Sequence, residues 1–540
     1  MIESRRLAMA NFWVAISAFA VAAAMAVMQA LSRADLDLPW RTAKMYYLSV
    51  TAHGVLMALV FTTFFIMGLG YVISERALGR PIELKKFAWG SFWVALLGTV
   101  LTAWAVLWGK ASVLYTFYPP LKAHPLFYIG AALLVIGSWG WCWVLIHSYR
   151  VWRRENPSER VPLAVHGMLA TVIIWILATI GVAAEVVLML IPWSLGIVDK
   201  VDPVMARILF WWFGHPLVYF WLLPAYVVWY TMAPKIAGGK LFSDPLARLV
   251  FVLFIVLSTP VGFHHQFMDP GVSAGWKLFH TFNTMWILFP SFITAFTVIA
   301  SFEVAGRMKG AQGWFDWLEE LPWGNPAFSS VALAMLMFAV GGFGGAINAS
   351  FGMNAMIHNT AWVQGHFHTT VGTAVALTFM GISYYLVPKL LGRDLELSLL
   401  ARIQPYLWFV GMLLFAIANH LTGLAGMPRR IYQFEYGGSE VAQGWVAGTG
   451  ISAVGGVLLF ASSLCFVAVM FGTGLAGRRR GQPAIEFAEP LESPGDRAPI
   501  LDRWGLWVAA AVVLIIAAYG IPIIQHLGAE TFGSRGLSPF

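Results

Sequence analysis

Apolar residues run along this chain in stretches of about twenty, one after another from end to end. An α-helix rising about 1.5 Å per residue needs roughly 20 apolar residues to cross about 30 Å of hydrocarbon. Thirteen such runs are predicted, over 10–31, 47–74, 88–109, 125–148, 164–192, 205–232, 246–268, 279–302, 326–350, 361–388, 403–425, 445–472 and 504–525. The pattern predicts an all-α, polytopic membrane helix bundle of about 13 transmembrane helices, forming a single membrane domain over 1–540 with no extended soluble domain. The first run follows Arg5 and Arg6 as a signal peptide would, but it is long for one and many like it follow, so it reads as the first span. The one polar, Pro- and Gly-bearing stretch of length, 474–502, reads as an inner loop or linker. No repeat of fixed period is present.

Composition agrees, with 59% hydrophobic and 11% charged residues, where a soluble domain carries about a quarter charged. The net charge of +8 comes from basic residues dispersed over short loops, which argues for membrane topology and against a nucleic-acid partner. With the N-terminus in the cytoplasm, Arg76, Arg80, Lys85, Lys86, Arg150, Arg153, Arg154, Arg160, Arg307, Lys309 and Arg478–Arg480 all fall on the inner side. An odd number of spans then leaves the C-terminus outside the cell's inner (plasma) membrane. Arg429 and Arg430 break this distribution, standing together on the outer side after a Gly-Met-Pro turn. The two cysteines, Cys142 and Cys465, lie far apart in separate apolar runs, so neither a disulfide framework nor a thiolate cluster is available.

Several of the 13 histidines fall inside spans, where a polar ring must find a partner without water. For a single one, a helix-to-helix hydrogen bond competes evenly with a functional role; a cluster tips the balance. In Gly365-His366-Phe367-His368 the two rings leave the helix about 200° apart, so one helix can serve two metal centres. In Thr259-Pro260-Val261-Gly262-Phe263-His264-His265 the adjacent rings diverge by about 100° on a helix, which suits neighbouring corners of one site. His215 and Tyr219 lie four residues apart on one helix face, and His53 adds a sixth imidazole from span 2. Six histidines on four helices suit copper, iron or zinc. Three suit a copper with an open position, two a six-coordinate haem, and one a haem with an empty face for O₂. Spacing alone does not say which histidine goes where, beyond span 10 serving two centres.

These four segments resemble the histidine motifs of the haem–copper oxygen reductases, the catalytic subunit of cytochrome oxidases, and the resemblance runs over almost the whole chain. It implies a terminal respiratory oxidase reducing O₂ to water. It implies that His53 and His368 are the axial pair of a low-spin haem, that His366 is proximal to a high-spin haem, and that His215, His264 and His265 hold the copper called CuB. It further implies that Tyr219 becomes covalently joined to the His215 ring and supplies an electron and a proton when the O–O bond breaks. The mitochondrial-like branch carries a glutamate two residues after the first copper histidine; Leu217 stands there in this chain. With Trp211-Trp212-Phe213-Gly214-His215 and Phe263-His264-His265-Gln266-Phe267, this points to the B family, the ba-type oxidases; a haem b at the low-spin site and an a-type haem at the high-spin site are the expectation, which histidine ligation itself does not report.

That branch draws protons through one hydroxyl-lined path, and Tyr226, Tyr230, Ser291, Thr294 and Thr297 occupy the matching positions. Periodicity is consistent with it: Tyr219, Tyr226 and Tyr230 form one stripe of span 6, while Ser291, Thr294 and Thr297 recur every three residues in span 8. Hydroxyls that merely pack helices are the competing account. Arg429 and Arg430 match the family's haem-propionate position, and His358 and Asn359 match a segment near the high-spin haem's propionates. Asn354 stands where some relatives carry an acid, and Glu185 is a lone carboxylate in span 5, either a polar anchor or a functional acid. A copper site with two bridging thiolates cannot be built here, so electrons are expected through a separate subunit II, fed by cytochrome c or a similar small redox protein. Proton pumping is expected from family analogy. The alternatives are a nitric oxide reductase of the same superfamily, against which Tyr219 argues, and a cofactor-free proton-coupled transporter, which would be colourless.

Overall fold

The computed structural model describes residues 3–34, 36, 38–433, 436–492 and 499–539. Twelve of its helices are long and apolar enough to cross a membrane. With one shorter helix they form α1 (Arg5–Arg33), α2 (Ala43–Leu78), α3 (Lys85–Leu107), α4 (Pro125–Glu155), α5 (Leu163–Ser194), α6 (Pro203–Ala237), α7 (Asp244–Leu257), α8 (Ala274–Met308), α9 (Pro326–Ala349), α10 (Ala361–Leu391), α11 (Ser398–Leu424), α12 (Glu440–Leu475) and α13 (Trp504–Leu527). Helix is the form in which a chain satisfies its own backbone in hydrocarbon. Many starts are written locally: Asp202 caps α6 ahead of Pro203 and Asn325 caps α9 ahead of Pro326, each side chain accepting an orphan amide.

α7 departs from expectation. A continuous span over 246–268 is predicted, but the helix ends at Leu257 and the chain turns through Ser258–Val261 into a short 3₁₀ segment, Gly262–Gln266. Pro260 is the physical reason, since it offers no amide and disfavours helical backbone before it. His264 and His265 therefore project from a tight turn and not from an α-helix. The loop expected over 474–502 begins where α12 ends at Leu475; residues 493–498 of it lie outside the described residues.

Three helices form the centre. In their most apolar windows α2 is 89%, α10 83% and α6 78% buried, whereas α1 and α13 are 28% buried. The periphery turns large apolar side chains outward, as in Phe282, Trp286, Phe289, Phe292 and Phe296 along α8. α2 and α10 also carry π-helical turns, Val55–Phe61 and Thr370–Val375, which begin two residues after His53 and His368. Such wide turns shift the helix register locally and recur at functional sites.

Candidate metal and haem centres

His53 on α2 and His368 on α10 face each other with ring centres 6.1 Å apart and planes 5° from parallel. A bond of about 2.0 Å from metal to each imidazole, plus roughly 1.1 Å from nitrogen to ring centre, puts two trans ligands about 6.2 Å apart. The spacing is that of two rings on opposite faces of a metalloporphyrin. Each ring's Nδ1–H donates to a carbonyl, His53 to Ala22 at 3.1 Å and His368 to Gln364 at 2.8 Å, which leaves both Nε2 lone pairs free.

His215, His264 and His265 bring one ligand nitrogen each to within 4.8 Å of one another. His215 Nδ1 stands 3.1 Å from His265 Nε2, the separation of two nitrogens about 2.0 Å from a shared metal at an angle near 100°. His215 Nε2 lies 3.0 Å from the Tyr219 hydroxyl, so the ring meets the metal through one nitrogen and the tyrosine through the other. His264 Nδ1–H donates to Thr284 Oγ1 at 2.8 Å, and that hydroxyl donates in turn to the His280 carbonyl at 2.6 Å. The His265 ring lies flat on Trp211, 3.7 Å between centres and 7° between planes. Trp211, His215 and Tyr219, at four-residue steps, make one face of α6.

One continuous cavity is lined by all six of these histidines, counting His366, and by Tyr219, Leu217 and Ser291. His366 leaves α10 beside α9, where a Cβ on Gly344 would stand 2.7 Å from its Nδ1, so the close approach requires glycine. At one end of the cavity Arg33, Arg207, Arg429 and Arg430 meet a single carboxylate among the described lining residues, Asp269, already paired with Arg207 at 2.9 Å. Burial, with Arg430 beside it, lowers the Arg429 guanidinium to about 10. Arg429 Nη2 donates to Asn359 Oδ1 at 2.9 Å, and both Asn359 and Arg430 hold left-handed backbone, φ 58° and 59°. His358 Nδ1–H donates to Asn354 Oδ1 at 3.1 Å; burial lowers His358, Asp269 opposes the shift, and Arg429 and Arg207 add to it. An end so rich in guanidinium is shaped for added carboxylates. The donors present therefore fit two haems and a copper.

Hydroxyls lead away from Tyr219. Tyr226 and Tyr230 follow on α6 with rings 6.1 Å apart, and Tyr230 Oη donates to Thr294 Oγ1 at 2.7 Å. The Tyr226 hydroxyl faces Ser291 and Thr294 without a formed hydrogen bond to either. Thr297 Oγ1 is likewise buried and unpartnered, while Ser291 and Thr294 also donate back to carbonyls of α8. Glu185 is fully buried in α5, at the start of a π-helical turn, away from this cavity.

Several residues around the cavity escape a reading by sequence: Trp211, Thr284 and His280 beside His215, His264 and His265, and Arg33, Arg207 and Asp269 at the cationic end. His280 and Thr284 do carry a signal, a polar pair at helical i,i+4 spacing in an apolar span. The arginines carry none, because their convergence is made by packing.

The family model described as Cytochrome C and Quinol oxidase polypeptide I matches residues 6–458. The chain is 44% identical over 492 residues to cytochrome c oxidase subunit 1 of Thermus thermophilus, covering 89% of this chain and 87% of that one. It is 26% identical over 475 residues to the Synechocystis cytochrome c oxidase subunit 1, covering 81% and 77% respectively. A solved chain from a heme-copper terminal oxidase dimer matches with a TM-score of 0.95 at 38% identity, over 100% of this chain and 96% of that one.

Proposed function

Since the chain belongs to the cytochrome c and quinol oxidase polypeptide I family, as the catalytic subunit of a B-family, ba-type haem–copper terminal oxidase, we propose how its own residues divide the work of reducing O₂ with four electrons and four protons to two waters. Haems, a copper, further subunits and a membrane belong to such an enzyme. When bound, the metals supply electron transfer from a low-spin to a high-spin haem and O₂ reduction between the latter and copper.

His53 and His368, whose rings face each other, would hold the low-spin haem, taken as haem b. His366 would hold the high-spin haem, taken as a-type, at the centre where O₂ is reduced. His215 through Nδ1, and His264 and His265 through Nε2, hold the copper. The observation that carries this division is the pairing of two geometries in one cavity: parallel rings 6.1 Å apart, and three imidazole nitrogens within 4.8 Å. Arg429, Arg430, His358 and Asn359 bind the haem propionates. Tyr219, hydrogen-bonded to His215, would be joined to that ring by an oxidation in which the N–H and ring C–H hydrogens leave as two protons and two electrons taken up by O₂, and would then supply a proton and an electron for O₂ reduction.

Protons reach Tyr219 from the inner side through Thr297, Thr294, Tyr230, Ser291 and Tyr226. Two of these hydroxyls are buried without a protein partner, which suits ordered water between them. Leu217 cannot relay a proton, so the route required by a glutamate there is closed. Part of the redox energy moves further protons outward. The chain lies in the plasma membrane with its N-terminus inside and C-terminus outside. Electrons come from cytochrome c or a similar small donor through a copper site on a separate subunit II, for Cys142 and Cys465 sit on different helices, α4 and α12.

The test is a reduced-minus-oxidised optical spectrum with metal analysis of the purified complex. Two haems and one copper per chain, with only the low-spin bands lost in His53→Ala, are expected. Non-haem iron in place of copper, with consumption of NO, would overturn the reading.

A further inference from the structure

The turn that presents His264 and His265 has no helix of its own to satisfy its backbone, and exposed amides and carbonyls are not tolerated at membrane depth. Two neighbouring helices supply the missing bonds. Tyr519 on α13 accepts the Gly262 amide at 2.9 Å and donates to the Thr259 carbonyl at 3.0 Å, with the Trp211 carbonyl also within 3.3 Å. From α8, Asn283 donates to the Pro260 carbonyl at 3.2 Å. His280 accepts the Phe263 amide on Nδ1 at 3.1 Å, so its other nitrogen carries the proton and donates to the Ala518 carbonyl of α13 at 3.1 Å.

Tyr519, His280 and Phe263 are all fully buried. The Tyr519 ring stacks on Trp212 at 5.3 Å, and the Phe263 ring lies on His280 at 4.1 Å. A Cβ on Gly262 would stand 2.4 Å from the Tyr519 hydroxyl and 2.2 Å from the Trp211 carbonyl, so only glycine allows this approach. Ala518 and Tyr519 both lie in a π-helical turn, Ile516–Gly520, of a helix that falls outside the segment matched by the family model.

We propose that α13 is a working part of the copper centre, with Tyr519 and His280 as positioning residues that hold the Thr259–Phe263 turn so that His264 and His265 face His215. The inference rests on copper being held by those three histidines. Tyr519→Phe removes one hydroxyl and keeps the ring, and Tyr384→Phe is the control, because its buried hydroxyl bonds Gln404, 18 residues along α10 from His366. Copper retained after dialysis against a chelator and the infrared C–O stretch of carbon monoxide photolysed from haem onto copper are measured on the whole complex.

Tyr519→Phe is expected to lose copper about tenfold or more readily and to shift or broaden the copper–CO band, with haem content and Tm no lower than in the control. A copper–CO band and copper retention equal to those of Tyr384→Phe would refute the proposal. If Tyr519→Phe does not accumulate with its haems, His280→Gln, which leaves α13 intact, carries the same readouts, and unchanged copper there refutes it equally. A wild-type complex without copper would instead sink the copper assignment itself.

Discussion

An imidazole is fixed as a metal ligand most firmly when its second nitrogen is committed elsewhere, and four of the six rings around this cavity have such a partner, while His366 Nδ1 is buried without a formed hydrogen bond. Backbone carbonyls take the Nδ1–H of His53 and His368, Thr284 takes that of His264, and Tyr219 faces the spare nitrogen of His215. Thr284→Val keeps the volume and removes the acceptor. Its expected outcome is a 10- to 100-fold weaker hold on copper, read by chelator titration, with both haem spectra unchanged. In the proposed proton path Tyr226 would be the link between Tyr219 and the Tyr230–Thr294 pair. Tyr226→Phe should slow steady-state O₂ consumption by about tenfold or more while leaving the metals in place, and turnover within twofold of wild type would remove Tyr226 from the path.

Elements act here mostly through their ends and irregularities. α7 stops at Leu257 because of Pro260, and only that interruption turns two adjacent histidines toward His215. The starts of α5, α7 and α13 are tied by one carboxylate. Asp502 meets Arg160 at 2.8 Å and Arg248 and His166 at 3.1 Å each, and Arg248 also binds Asp244 at 2.7 Å. Burial alone would raise the Asp502 carboxyl, but the hydrogen bonds from His166 and Arg160 and the charge of Arg248 hold it well below the usual carboxylate range. A carboxyl depressed in the folded state stabilises fully above its unfolded value near 3.9, and that stabilisation is lost as pH falls toward the folded value. Thermal melts in detergent should therefore show Asp502→Asn about 3–5 °C below wild type at pH 7, with the gap closing below about pH 4. A gap that is constant with pH would show that the clasp works through shape and not charge.

At the scale of the whole molecule, the most buried helices, α2, α6 and α10, are those that carry the four cavity-lining histidines His53, His215, His366 and His368. The outer helices shield them from lipid. Because α7 is too short to count as a span by length alone, the parity of the crossings depends on the chain continuing outward through the His264–His265 turn. A single cysteine at Ser538→Cys should react with a membrane-impermeant maleimide in intact cells, and one at Arg479→Cys should not. Labelling of both, or the reverse pattern, would overturn the thirteen-crossing topology.

Much of this was legible beforehand for a physical reason. Hydrocarbon enforces long apolar runs, so the spans read directly, and it makes imidazoles expensive, so His53, His215, His264, His265, His366 and His368 stood out. Their helix phases also showed that α10 could serve two centres, since His366 and His368 are fixed by covalent connection and helical rotation alone. What tertiary structure decided is every contact between residues far apart in sequence. It set the parallel facing of His53 and His368 across two helices, the meeting of Arg33, Arg207, Arg429 and Arg430, and the reach of Tyr519 from the last helix to Gly262. No local periodicity encodes these, because they arise only when packed helices bring distant side chains to one depth in the bundle.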